Sequence, residues 1–159
     1  MIRVGLGYDI HRLSPGRALV LGGVPIPSPL GLEGHSDADV VLHALMDALL
    51  GAAALGDIGH HFPTGDERFR GVSSLQLLSS VRELVSRAGF RLVNADVVLV
   101  AERPRIAPYV ARMRDQIARA LEVDIGAISL KATTNEGVGP EGRGEAMSAQ
   151  AVALLMSVA

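Results

Sequence analysis

The chain has 159 residues, 48% of them apolar and 20% charged, enough for one hydrophobic core in a single domain spanning 1–159. A formal net charge of −2 gives no footprint for nucleic acid or an anionic membrane, and the lack of cysteine excludes disulfides, thiolate metal sites and cysteine nucleophiles. No apolar run is long enough to span a bilayer, and the opening MIRVGLGYD enters a strand pattern rather than a leader pattern, so the cytoplasm is the expected compartment.

Residues 3–12 alternate as a strand does. Val4, Leu6, Tyr8 and Ile10 fall on one face, and Gly5, Gly7, Asp9 and His11 on the other. The glycines weaken the strand but admit close approach of another group. Residues 18–27 read as a hairpin around Gly22 and Gly23, after which Pro25, Pro27 and Pro29 oppose regular structure. Residues 34–47, GHSDADVVLHALMD, then lead into a helix expected to end near Leu55 and Gly56. Ser36 is its expected N-cap, with Asp39 completing a capping box. On that helix Asp39, His43 and Asp47 share one face, and Val41, Leu42, Leu45, Leu49 and Ala52 form the buried arc.

A turn-rich loop, 56–66, separates it from a second helix over 71–89 with Leu75, Leu78, Val81, Leu84 and Val85 as its stripe and Gly89 as its stop. Residues 90–101 predict a strand, apolar on both faces from Val97 to Ala101 and therefore expected to be central and covered twice. Pro104 and Pro108 bracket the start of a third helix, with a stripe of Ile106, Val110, Met113, Ile117 and Leu121. Residues 128–133 predict a further strand, and 133–145 a glycine-rich loop. The tail, 146–158, suits a helix or a strand equally. This order implies an α/β (α+β) two-layer sandwich, a mixed sheet with helices on one face.

Four constellations can carry chemistry. Asp9 and His11, two apart on a strand, point the same way, and a histidine from a helix, His43, can join them around one ion. Three N/O ligands with an open position suit zinc, with manganese or cobalt as substitutes. The same spacing is met by surface strand residues beside a satisfied core histidine. His35 and Ser36, ahead of a helix N-terminus, can hold an anion or serve as a plain cap. Asp47 can orient an imidazole through its second nitrogen or face solvent. Asp57, Ile58 and Gly59 can recognise hydroxyls or form a simple turn. Residues 131–136, KATTNE, leave a strand for a glycine-rich loop where hydroxyls and amides can meet phosphate and Glu136 a hard cation. The spacing is not that of a Walker loop.

Together these motifs resemble the family of 2-C-methyl-D-erythritol 2,4-cyclodiphosphate synthases almost end to end. The resemblance rests on GYDIH at 7–11, LGG at 21–23, HSDADVxxHAxxDALLGA from His35, LGDIGxxFP at 55–63, KATTNE at 131–136 and GRGE at 142–145. It implies a homotrimer with active sites between subunits, and it favours a strand for the tail. The implied reaction converts a cytidine diphosphate substrate, 4-diphosphocytidyl-2-C-methyl-D-erythritol 2-phosphate, into the cyclic diphosphate and CMP. The resemblance assigns Asp9, His11 and His43 to zinc and Glu136 to a second cation, Mg²⁺ or Mn²⁺. His35 and Thr134 would stabilise developing charge, and Ser36 would hold phosphate. Asp57, Ile58 and Gly59 would grip the erythritol hydroxyls, with Phe62, Pro63, Thr64, Gly65 and Asp66 alongside. Residues 101–107, with Ala101, Arg105, Ile106 and Ala107, and residues 132–134, with Ala132 and Thr133, would form the neighbour's contribution to the cytidine pocket, Asn135 would bind substrate, and Arg143 would be a basic group at the mouth of the trimer axis. Two departures stand out. Arg105 replaces a usual lysine, and Pro140 replaces the phenylalanine of G-F-x-G that lines an apolar channel on that axis.

Overall fold

In a computed structural model, which describes residues 1–158, the long first strand β1 (Ile2–Pro15) lies between β4 (Leu30–Leu32) and β7 (Ala146–Ser157). Beyond β7 come β5 (Phe90–Val100) and β6 (Ile128–Thr133), giving the order β4-β1-β7-β5-β6. Only β5 and β6 run parallel, so the sheet is mixed as expected, and the tail is a strand. β2 (Leu19–Leu21) and β3 (Val24–Ile26) form the hairpin, with Gly22 and Gly23 at positive φ in its turn. Pro25 does not break β3, because it sits at the strand's exposed middle position, opposite Val20.

The main helices, α1 (Val40–Ala52), α3 (Ser74–Arg87) and α4 (Val110–Leu121), bury their apolar positions in one core with a single face of the sheet. A short α2 (Ile58–His61) breaks the loop after α1, and α5 (Gly139–Gly142) is one turn within the glycine-rich loop before β7. The stripes of α3 and α4 emerge largely as predicted, with Leu78, Val81, Val85, Met113, Ile117 and Leu121 buried. Gly89, at positive φ, follows the end of α3.

α1 departs from a two-faced helix. Every residue of it is buried except Asp47 and Gly51. It can sit this deep because the sheet beneath it is made of small residues. Gly5 pairs with Ala153, Gly7 with Ala151 and Asp9 with Ala149. A Cβ on Gly7 would lie 1.8 Å from the carbonyl oxygen of Ala44, and one on Gly5 1.9 Å from that of Ala48. The helix backbone therefore rests on the strand, which is the close approach those glycines permit.

The contacts also fix direction. Ala48 lies over Gly5 and Ala44 over Gly7, so α1 runs antiparallel to β1. Two strand residues span about 6.7 Å and four helix residues about 6 Å, so the two ladders stay in step. One further step places the first turn of α1 over Asp9 and His11.

β5 is not covered twice within the chain. Ala95, Val97 and Leu99 are buried under the helices, whereas Val98 and Val100 on the other face are half-buried. The three main helices, α1, α3 and α4, lie on one side, whereas the single turn α5 meets the other face, where Glu141 accepts from Ser148 beside Ile10. The opposite face of β1 and β7 is apolar and open, with Ile2 69%, Val4 67%, Leu6 69% and Val152 44% exposed.

Candidate active site

The N-cap of α1 is Asp39, not Ser36. Its Oδ1 accepts from Leu42 N–H at 3.1 Å and from Gly22 N–H at 3.0 Å, and Oδ2 accepts from Gly23 N–H at 2.7 Å. Burial pushes this carboxyl up to about 6 against the pull of those three donors. Asp39 thus faces the hairpin and the core rather than sharing a titratable face with His43. Ser36 instead accepts from Ala38 N–H, in the turn that precedes the cap.

Over the strand, Asp9, His11 and His43 converge. His11 Nε2 lies 2.8 Å from Asp9 Oδ2, His43 Nδ1 lies 3.1 Å from the same oxygen, and the two nitrogens are 3.2 Å apart. A tetrahedral ion at ordinary zinc–nitrogen distance separates its ligand atoms by about 3.3 Å, so this triangle needs only slight expansion to hold one. Among the described residues these three form the one acidic and imidazole cluster able to hold a metal ion. His11 Nδ1 lies 2.7 Å from the Glu33 carbonyl, to which it donates, leaving Nε2 with its lone pair toward the triangle. Two imidazole lone pairs and a carboxylate pointing at one spot repel one another unless a cation sits among them. Without one, ring N–H groups donating into the triangle take the cation's place: burial pushes Asp9 up, but hydrogen bonds and charge from His11 and His43 outweigh it and hold the carboxyl at about 2. Burial pulls His11 down, and Asp9 more than restores it.

Around the triangle is a cavity of about 230 Å³ lined by Asp9, His11, His35, Ser36, His43, Ile58, Gly59, Phe62 and Thr64, together with Phe69 and Leu77. His35 Nε2 donates to the Asp66 carbonyl at 3.0 Å, and the His35 carbonyl accepts from Gly71 N–H, so the 63–71 loop closes one wall. Phe62 and Phe69 pack edge to face on it. Asp57, exposed, caps α2 by accepting from His60 N–H at 2.9 Å. Asp47 accepts from Ile58 N–H at 2.9 Å, so it supports the Asp57–Ile58–Gly59 turn and not an imidazole. Asp66 is engaged by Arg68, and Pro63 and Gly65 are exposed on the loop.

Thr134 and Glu136 are not in this cavity. Thr134 belongs to a second pocket of about 380 Å³ at the ends of β5 and β6, lined by Ala101, Arg105, Ile106, Ala107, Ala132 and Thr133 among others. Glu136 stands exposed next to it at a positive φ of 51°. Glu102 holds this loop by accepting from Asn135 N–H and Gly137 N–H. Arg143 lines a third cavity of about 630 Å³ with Arg103 and Arg105, and pairs with Glu145.

Ser74 and Asp37 escape sequence reasoning, as does the role of Glu102 in holding the loop. Ser74 lies against His43 from a different helix, and no spacing in the chain signals a contact across 31 residues.

A family model described as the YgbB family matches residues 2–156. The 2-C-methyl-D-erythritol 2,4-cyclodiphosphate synthase of Moorella thermoacetica is 61% identical over 98% of this chain and 95% of its own. The chain belongs to this synthase family. It is an enzyme of isoprenoid biosynthesis by that membership. Among solved structures of the synthase fold, the bifunctional IspDF of Campylobacter jejuni matches with a TM-score of 0.96 and 39% identity, over 99% of this chain and 43% of that one. The IspF–CDP complex of Plasmodium falciparum matches with a TM-score of 0.87 and 32% identity, over 99% of this chain and 97% of that one.

Proposed function

We propose that the chain cyclises 4-diphosphocytidyl-2-C-methyl-D-erythritol 2-phosphate to 2-C-methyl-D-erythritol 2,4-cyclodiphosphate with release of CMP, at a site assembled from two subunits of a homotrimer. The observation that carries this reading is the division of the chain's chemistry into two pockets that share no residue. One has a cation triangle, an anion-facing histidine and serine, and a hydroxyl-binding turn. The other has a strand-end loop rich in hydroxyls and backbone amides. The open apolar sheet face supports assembly through β1 and β7, since a patch of this kind on a single chain marks an interface. The CDP complex of the Plasmodium falciparum relative supports a cytidine nucleotide in the second pocket.

In the reaction, an oxygen of the 2-phosphate forms a bond to the β-phosphorus, the bond from that phosphorus to the oxygen bridging to the α-phosphate breaks, and CMP leaves with the electron pair. Asp57, with backbone groups of Ile58 and Gly59, holds the erythritol hydroxyls, and Asp47 fixes that turn from behind. His35 and Ser36 donate to the substrate's phosphates, with His35 exchanging its bond to the Asp66 carbonyl for one to phosphate. Thr134 of the neighbouring subunit donates from the other side. Ala101, Arg105, Ile106, Ala107, Ala132 and Thr133 enclose the cytidine, with Asn135 at the turn. A zinc ion at Asp9, His11 and His43, and Mg²⁺ or Mn²⁺ at Glu136, would polarise phosphoryl oxygens as Lewis acids. Phosphoryl transfer needs little else than positioning and neutralised charge, so this set is sufficient in kind.

Phosphorus NMR of a reaction with the diphosphocytidyl substrate tests the proposal. Cyclic diphosphate and CMP are the expected products. Linear phosphates would mean a metal-bound water attacks instead, and unchanged substrate would mean a binding protein.

A further inference from the structure

We propose that Asp37 and Ser74 are positioning residues that set the tautomer of His43 and so its ability to take a cation. The inference rests on the metal reading of Asp9, His11 and His43. It starts from a single proton. Ser74, the first residue of α3, is fully buried, so water cannot satisfy its hydroxyl. Its Oγ lies 2.5 Å from Asp37 Oδ1 and 3.1 Å from His43 Nε2. Asp37 also accepts from Ser74 N–H at 3.0 Å and from Asp39 N–H at 3.2 Å. A carboxylate ringed by donors can only accept, so the Ser74 hydrogen points at Asp37. What Ser74 presents to His43 is then a lone pair, and Nε2 must meet it with an N–H. Neutral imidazole carries one N–H, so when a cation rather than a ring N–H satisfies Asp9 Oδ2, 3.1 Å from Nδ1, the lone pair is left on Nδ1.

Nδ1 is the atom that stands in the triangle with Asp9 and His11. The other tautomer would aim an N–H at the ion and two lone pairs at each other across the His43–Ser74 contact. Ser36 Oγ is also within 3.2 Å of Nε2, but its hydrogen is not committed to a carboxylate, so it fits either tautomer. Direction comes from Asp37 through Ser74. The Glu33 carbonyl fixes His11 by the same logic from the other nitrogen. A carboxylate or carbonyl behind a metal-bound imidazole commonly changes metal affinity 10- to 100-fold when removed, at roughly that order of magnitude.

Two measurements on the full-length protein test this. Nitrogen NMR of the imidazoles in zinc-loaded wild-type protein should find His43 bound through Nδ1 and protonated on Nε2. Zinc bound through Nε2, with the proton on Nδ1, would overturn the inference, whether or not any variant folds. Zinc affinity by chelator competition should fall roughly 10- to 100-fold in Ser74→Ala, and less in Asp37→Asn, which keeps the hydroxyl but releases its hydrogen. Ser74→Thr, which restores the hydroxyl, should recover most of the loss. Circular dichroism verifies that each variant is folded. Folded Ser74→Ala and Asp37→Asn proteins that both bind zinc as tightly as wild type would overturn the inference. Wild-type protein that binds no zinc would instead overturn the metal reading beneath it.

Discussion

Asp39 shows how one side chain can serve a site it never touches. Its carboxyl holds the start of α1 and both glycines of the β2–β3 turn, and burial keeps it at about 6. A folded-state value raised above the usual carboxyl range means the folded protein holds its proton longer than the unfolded chain does. Between about pH 4 and 6 the folded state therefore loses stability relative to the unfolded state as pH rises, by an amount on the order of 2–3 kcal/mol. Asp39→Asn, which cannot titrate, should lack that contribution. Urea unfolding of both proteins across this range should show the wild type's advantage over the variant shrinking as pH rises, and a constant difference would contradict it. The sequence marks Asp39, His43 and Asp47 as one face because they are four apart, but periodicity cannot say which of them the hairpin, the strand or the α2 turn will claim. Asp9, His11 and His43 were legible because strand alternation and helix direction constrain them. Ser74 and Asp37 were not, because their meeting depends on where α3 docks.

At the scale of elements, the site depends on how closely α1 lies on β1. Gly7 makes room for the Ala44 carbonyl, one residue from His43, and two residues before Asp9. Gly7→Ala should push the helix off the strand, costing about 3 kcal/mol or more, above the usual range for overpacking because backbone rather than a side chain is in the way. The same variant should loosen zinc, since His43 moves with the helix while Asp9 and His11 stay on the strand. Denaturant unfolding and zinc titration check the two effects together. A variant as stable as wild type would show that the helix does not rest on the glycine. The alternation of glycine with aliphatic residues in 3–12 announces this approach, and the stripes of α3 and α4 likewise announce their buried faces. The burial of α1 all round is not announced, because it depends on alanines in β7 about 100 residues away, Ala149, Ala151 and Ala153, which read equally well as a helix.

For the whole molecule, a single chain presents two separate pockets and an uncovered apolar sheet face. The run from Val97 to Ala101 reads as a strand covered on both sides, yet the chain covers it on one, and the missing cover is what the proposed trimer supplies. In a ring of three identical subunits each active site would take His43 from one chain and Thr134 from the next. Subunit complementation measures this directly. His43→Ala and Thr134→Ala chains, each nearly inactive alone, are unfolded together, refolded as a mixture and assayed for cyclic diphosphate. Random assembly of equal amounts gives mixed trimers with one intact site each, so the mixture should recover about a quarter of wild-type activity. A mixture no more active than its separate components would contradict a site shared between subunits.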